Sequence, residues 1–341
     1  MREIGICEEQ AGQRLDKFLR RYLPGAGSGF LYKMLRKKNI VLNGGRASGN
    51  ELLRPGDVIR IYFSDETLRT FRKGDAAAPA AGGYPKLESS WILFEDAHLI
   101  AIDKPAGVLS QKSRPEDVSL VECLRGYLDD SGNGFFTAGV ANRLDRNTSG
   151  IVLAGKDNAS ARELARSIRE RSIRKFYLAA CVGEITRPAR ICGFQIKDSR
   201  TNTVRILPDG AGSGNAARIE TAYRPLAVFT FQERFITLLE VELITGRTHQ
   251  IRAHLASEGH PLIGDPRYGD PRMNRFFRRQ YHLNRQFLHA ARMEFPQWDG
   301  ILEQESGRVI RSPLPDSLRA VLSGGTLRRC FDREWEIYGK E

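Results

Sequence analysis

The 341-residue chain has no apolar run approaching the roughly 18 residues that a membrane-spanning helix needs. Its opening, MREIGICEEQ, lacks the apolar core of a secretion signal. Five cysteines (Cys7, Cys123, Cys181, Cys192 and Cys330) are dispersed and form no C-x-x-C pair. Such a set leads us to expect reduced thiols in a cytoplasmic protein, with Cys181 a small core residue inside YLAACV. A P-loop, a G-x-S-x-G elbow and an H-E-x-x-H pair are also missing. His249 and His254 are five apart, and His260 adds no cluster at ligand spacing, so no metal is expected. Gly-Ala-Gly-Ser-Gly occurs twice, at 25–29 and 210–214. Neither copy follows a strand and opens a helix, as a dinucleotide fingerprint must, and the second reads as a hairpin loop between TVRIL and ARIETAYRPL. These absences favour chemistry that a single acid can perform without a cofactor.

Acid is scarce relative to base: 53 Lys and Arg face 41 Asp and Glu, a net charge of +12. A positive field of that size favours a phosphate backbone as partner, and without a spanning segment no membrane partner is expected. The apolar fraction of 41% is that of an ordinary globular protein.

The first block, to about Ser64, reads as a compact helix-and-hairpin unit. GQRLDKFLRRYL spaces Leu15, Phe18, Leu19 and Tyr22 at helical intervals; FLYKMLRKKNI turns Leu31, Met34 and Leu35 inward; IVLNGG and LLRPGDVIRIYF supply strands and turns. From Leu31 to Arg46 there are five basic residues and no acid, so Lys33, Arg36, Lys37 and Lys38 are candidate RNA contacts, the plain alternative being a solvated helix face. Ala, Gly and Pro then dominate RTFRKGDAAAPAAGGYPK, a linker signature. Beyond Trp91, short strands (WILFED, LIAIDKP, GIVLAGK, FYLAACV, FITLLEVEL) alternate with few helices, which predicts α+β. NASARELARSIRERSIRK predicts a helix capped by Asp157 or Asn158, with Ala161, Leu164, Ala165 and Ile168 on one face and an arginine stripe on another. RYGDPRMNRFFRR, basic with interleaved aromatics, is either a further RNA surface or a solvated helix.

Three segments carry the candidate chemistry. ANRLDRNTSGIVLAGKD sets Asp145 between Arg143 and Arg146, with Thr148, Ser149 and Gly150 expected to bond the local backbone and stiffen the acid's loop. RKFYLAA places Tyr177 on an apolar strand. VELITGRTHQIRAHLASEGHPLIGDPRYGD predicts a strand, a turn at Thr245-Gly246 and a helix entered at Thr248 and ended at Gly259. That gathers Arg247, His249, Gln250 and Arg252 at a helix N-terminus, a setting suited to a phosphate or a catalytic carboxylate.

In this order, NRLDRNTSG, KFYLA and GRTHQIRAH…GHPLIGDPRYG resemble the three signature regions of the RluA-type pseudouridine synthases. RLDKFL…VLNG…LLRPGDVIRI is similar to an S4 RNA-binding domain. The resemblance implies an S4-like domain over residues 1–65, a linker over 66–90, a catalytic domain over 91–325 and a tail over 326–341. The catalytic domain should hold a central mixed, mainly antiparallel sheet flanked by helices and loops.

The implied activity converts uridine in structured RNA to pseudouridine: the N1–C1′ bond breaks, the uracil turns, and C5 is joined to C1′. No cofactor or metal takes part. Asp145 is the implied catalytic acid, attacking the base, attacking C1′, or removing a sugar proton. Arg252 pairs with it, a structural ion pair being the plain alternative. Tyr177 stacks on the uracil, and Arg143 fills the space vacated by the flipped base. Arg146, Arg247, His249 and Gln250 contact RNA or support the site. The implied partner is 23S ribosomal RNA or a pre-ribosomal particle, bound by a monomer; a tRNA synthase and a non-catalytic ribosome-assembly protein are the alternatives. The chain departs from the family pattern at Asn142, where His is usual, so that position cannot carry a proton.

Overall fold

A computed structural model describes residues 1–7, 10–72, 85–114, 116–128, 138–198, 200–201, 203–208, 214 and 216–332. The chain divides into two compact units: Met1–Leu87 with the described parts of Val121–Gly139 and Gly155–Arg162, and Glu88–Leu120 with Val140–Ala154 and the described parts of Glu163–Glu341. The division therefore does not fall at one linker.

The first unit is ordered by a tight turn and two helices over a small sheet. Strand β1 (Arg2–Gly5) is followed by helices α1 (Leu15–Tyr22) and α2 (Ser28–Arg36), then by β2 (Ile40–Leu42), β3 (Gly45–Arg46) and β4 (Val58–Ile61). The sheet order is β1-β4-β2-β3. Asn43 and Gly44, at φ 50° and 74°, make the two-residue turn that right-handed strand twist prefers. Leu15, Phe18 and Leu19 of α1 and Leu31 and Leu35 of α2 close over Ile40, Ile59 and Ile61. Asp16 is buried beneath them, yet Tyr32, Arg14 and Arg20 bond its carboxylate and outweigh the effect of burial, holding its pKa below the usual value. Lys33, Arg36, Lys37 and Lys38 are all exposed.

The expected linker begins later than residue 66. Asp65–Arg72 is a helix, α3, with Ser64 receiving the Thr67 amide at its start, and Leu68 and Phe71 packed on the first unit's core. The signal lies in SDETLRTF: a capping serine, acids in the first turn, and two apolar residues three apart. The middle of that linker, 73–84, lies outside the described residues.

The rest of the chain runs β5 (Ile92–Glu95), β6 (Leu99–Lys104), α4 (Leu120–Tyr127), β7 (Ser149–Gly155), α5 (Asn158–Glu170), β8 (Arg174–Val182), β9 (Ala189–Asp198), β10 (Thr203–Pro208), β11 (Ala217–Phe231), β12 (Arg234–Leu243), α6 (Gln250–Ser257), α7 (Pro271–Tyr281), β13 (Leu288–Glu294), β14 (Val309–Arg311), α8 (Asp316–Ser323) and β15 (Thr326–Cys330). The fold is α+β around a large mixed sheet, in the order β10-β9-β11-β12-β8-β13-β7-β6-β5. β13 pairs with β7 in parallel, whereas β9 with β10 and β11, β12 with β11 and β8, and β13 with β8 are antiparallel.

Two expectations fail at β11. TVRIL does not form a hairpin with ARIETAYRPL: β10 and β11 lie on opposite sides of β9, and the joining segment 209–213 lies outside the described residues. Nor is the chain beyond 326 only a tail. β11 runs fifteen residues and kinks between Pro225 and Ala227; β9 covers only its first part, and β15 pairs with the second. α5 begins at Asn158 with Asp157 as its cap, its carboxylate accepting the Ala159 and Ser160 amides. Its buried positions are Ser160, Leu164 and Ser167, while Ala165, expected inward, is exposed.

Candidate active site

Asp145 sits on a loop held from four sides. The Leu144 amide donates to the Ser110 hydroxyl, which donates back to the Leu144 carbonyl, each at 3.0 Å. Lys104, fully buried, donates to the carbonyls of Pro105 and Val108 at 2.9 Å and of Arg146 at 3.2 Å. Burial draws its pKa down to about 7 against the pull of Asp145. Three carbonyls match the three donors of an ammonium, and an amine has only two. Gln286 donates to the Thr148 hydroxyl at 3.1 Å, and Ser149 bonds His289 Nδ1 at 3.0 Å. Thr148 and Ser149 therefore stiffen the loop through partners distant in sequence, not through the local backbone as expected. Gly150, at φ 112°, lies so close to β13 that a Cβ would run into the Ala290 carbonyl.

The acid faces a buried cation. Arg252 Nη1 donates to Asp145 Oδ2 at 2.8 Å, and its Nε and Nη2 grip both oxygens of Asp265 at 2.7 and 2.9 Å. Asp265 is wholly buried and also accepts the Arg267 and Tyr268 amides. Burial alone would lower the Arg252 pKa; Asp265 and Asp145 outweigh it and raise it. The guanidinium is thus a fixed charge with one fork on Asp265 and the remaining arm on Asp145. Its ring neighbour is Tyr268, whose centroid is 5.3 Å from the guanidinium carbon.

His249 is in left-handed conformation (φ 54°) immediately before α6, so the helix starts at Gln250 rather than at Thr248. It leaves the helix end uncapped by its side chain. The imidazole bonds the Tyr268 hydroxyl through Nδ1 at 3.0 Å and brings Nε2 to 4.0 Å from Asp145 Oδ1. Burial lowers its pKa, with Asp145 opposing. Gln250, expected among RNA contacts, is turned inward: its amide donates to the Glu220 carbonyl and the Thr221 hydroxyl and accepts from Thr245 and the Arg247 amide.

Tyr177 is 4% exposed and shares a cavity with Arg143, Asp145, His249 and Arg252. Burial, then the Asp145 charge, pushes its pKa up. The cavity shares Arg143, Asp145, Tyr177 and Arg252 with a cleft of about 930 Å³ whose walls, among the described residues, carry eight basic side chains and a single carboxylate, Asp145. Arg143, Arg146 and Arg247 are exposed at this cleft, with Arg143 bonded to Gln111 and Arg146 to the Gly107 carbonyl. Lys33, Arg36, Lys37 and Lys38 belong to the other unit. The reading from sequence missed Lys104, Asp265, Tyr268 and Lys175. The residues stand in LIAIDKP, GDPRYG and RKFYLAA, but nothing in those strings marks a lysine or an aspartate as buried.

The profile of a family described as RNA pseudouridylate synthase matches residues 98–257. The ribosomal large subunit pseudouridine synthase C of Vibrio vulnificus (strain CMCP6) is 32% identical over 321 residues, covering 94% of this chain and 95% of that protein. The protein of the same name in Escherichia coli (strain K12) is 31% identical over 330 residues, covering 94% and 95%. The chain belongs to the RNA pseudouridylate synthase family. Its fold agrees with that of human RNA pseudouridylate synthase domain containing 1, at TM-score 0.56 and 21% identity over 74% of this chain and 96% of that one. Human RNA pseudouridylate synthase domain containing 4 aligns at TM-score 0.56 and 22% identity, covering 71% and 95%.

Asn142, the position where the resemblance implies a histidine, is buried and doubly bonded. Its amide donates to the Ile151 carbonyl at 3.1 Å and accepts the Leu153 amide at 2.9 Å, tying the entry of the Asp145 loop to β7. A neutral imidazole offers the same pair of functions, one donor and one acceptor. The position is a brace.

Proposed function

We propose that this RNA pseudouridine synthase isomerises uridines of large-subunit ribosomal RNA. The observation that carries the reading is Asp145, held at 2.8 Å by Arg252 and sharing a cavity with Tyr177 inside a strongly basic cleft. The target nucleotide is extruded from its stack, Arg143 occupies the gap, and the uracil lies against Tyr177. Asp145 then acts at the base or sugar while the N1–C1′ bond breaks and the C5–C1′ bond forms; the C5 proton leaves and N1 gains one, so nothing is oxidised or reduced. The relatives' names favour ribosomal RNA. The first unit, two helices over a small antiparallel sheet with exposed Lys33, Arg36, Lys37 and Lys38, fits an S4-like module that binds the same RNA.

The test is to map pseudouridine in ribosomal and transfer RNA from cells with the gene, without it, and with Asp145→Asn. Sites in large-subunit RNA that vanish in both altered strains support the reading. Loss confined to tRNA would replace the substrate. Sites that persist with Asp145→Asn would reduce the protein to a binder of the same fold.

A further inference from the structure

Strand β8 places Lys175 and Tyr177 on one face, two residues and so about 7 Å apart. Both line the cleft that holds Asp145. Lys175 is 6% exposed, yet among the described residues its ammonium has no hydrogen bond and no ion pair. Burial lowers its pKa, and the one other charge acting on it, Arg171, has the same sign. Lys104 shows how this fold satisfies a buried ammonium, with three carbonyls around it. Lys175 is given none. Asp145, the cleft's one carboxylate among the described residues, is held by Arg252 and is not among the charges that act on Lys175.

The ammonium is not fully enclosed, so a largely buried lysine without a protein acceptor presents its charged head to the cleft, where an anion that arrives with the ligand can take it. The anionic oxygens of RNA are its phosphates. Resting on the functional reading above, we infer that Lys175 is a substrate-binding residue that takes the phosphodiester beside the target uridine while Tyr177 takes its base. The spacing suits this division, since base and adjoining phosphate belong to one nucleotide. Lys175 would thereby fix how far the extruded nucleotide enters the cleft.

The experiment uses a ribosomal RNA fragment that the wild-type protein modifies, prepared also with a neutral methylphosphonate at the phosphate on either side of the target uridine. Wild type should lose about tenfold or more in kcat/KM with one of the two neutral linkages. Lys175→Met should show a similar loss on the natural fragment and no further loss on the modified one. Its plot of log Kd against log salt should flatten by about one unit. Because the substitution keeps the buried stem and removes a charge with no protein partner, its melting temperature should equal or exceed that of wild type.

If neither methylphosphonate slows wild type, the inference is overturned without recourse to any variant. It is equally overturned if Lys175→Met keeps the full methylphosphonate penalty. If wild type forms pseudouridine in no RNA, the functional reading itself has failed.

Discussion

Strand β8 presents a basic residue and an aromatic to each side of the sheet, and the two sides treat them differently. Arg174 and Phe176 face a cleft of about 470 Å³ that also holds Arg224, Glu240, Glu242, Arg292, Glu294 and Arg311. There Arg174 bonds Glu242 at 2.9 Å and Glu294 at 2.8 Å, Arg224 bonds Glu240 at 2.7 Å, and Arg292 bonds Glu240 at 2.9 Å and lies 3.7 Å from the Phe176 ring centre. Asp332 pairs with Arg224 at the edge. Three of the four arginines thus meet four acids, Arg311 alone having no ion pair among the described residues, and the charges of this face are largely matched. Lys175 and Tyr177 look into a cleft with eight basic side chains and one carboxylate. Ion pairing alone does not mark a site; surplus charge and burial do.

The largest difference between the faces should be catalytic. Asp145→Asn should cut pseudouridine formation by on the order of 10³-fold or more while RNA affinity changes little. Glu240→Gln, which alters a more deeply buried carboxylate on the other face, should leave turnover unchanged. Equal losses from both substitutions would erase the distinction.

Next comes the Asp145–Arg252–Asp265 array. Lysine has one charged head and cannot grip Asp265 with two bonds while reaching Asp145. Arg252→Lys should therefore lower kcat by about 10²-fold in single-turnover assays. Arg252→Ala should also cost about 3–5 kcal/mol in urea unfolding, because it leaves Asp265 buried and unpaired. Unimpaired single-turnover rates for Arg252→Lys would mean that the array is only a brace.

How much of this was legible in the sequence follows from which signals are local. Leu15, Phe18 and Leu19 repeat at helical spacing, and Asn43-Gly44 marks its own turn, so the first unit's elements could be read directly. Asp145, Tyr177 and Arg252 stand in motifs distinctive enough to name together, although 107 residues separate the bonded pair. What could not be read was the destination of a side chain. Gln250 and Arg247 are neighbours in one motif, yet one is consumed by the Glu220 and Thr221 partners and the other is exposed. Lys104 is surrounded by carbonyls and Lys175 is not, a property of loop geometry. β15 was hidden because strand pairing depends on the open second half of β11, about a hundred residues earlier in the chain.

Acid should separate the faces by a smaller margin. His289 and His254 have folded pKa values drawn down to about 4, chiefly by burial. Between about pH 6.5 and 4 the unfolded chain binds these protons and the folded chain does not, so stability is full above that window and falls as pH drops through it. The loss is up to about 3 kcal/mol for each histidine. Both adjoin elements that carry the candidate site, His289 against Ser149 beside the Asp145 loop and His254 on the helix that carries Arg252. His289→Gln should flatten the fall in melting temperature across this window; an unchanged slope would remove His289 as a cause.

The smallest effect belongs to the charge-matched face. Arg174 is 53% exposed and Glu242 26% exposed. Solvent screens such a pair, and its side chains lose entropy in holding one geometry, so a double-mutant cycle on Arg174→Ala and Glu242→Gln should return a coupling of about 0.2–1 kcal/mol. Pseudouridine yield and RNA affinity should match wild type in all three variants. Turnover is the sharper readout, because Arg174 is the chain neighbour of Lys175 and Phe176 that of Tyr177. A strand rigid enough to hold the two faces independent transmits nothing from one to the other. A tenfold loss of kcat in Arg174→Ala would show instead that the charged band sets the position of Lys175 and Tyr177, and that the faces work as one.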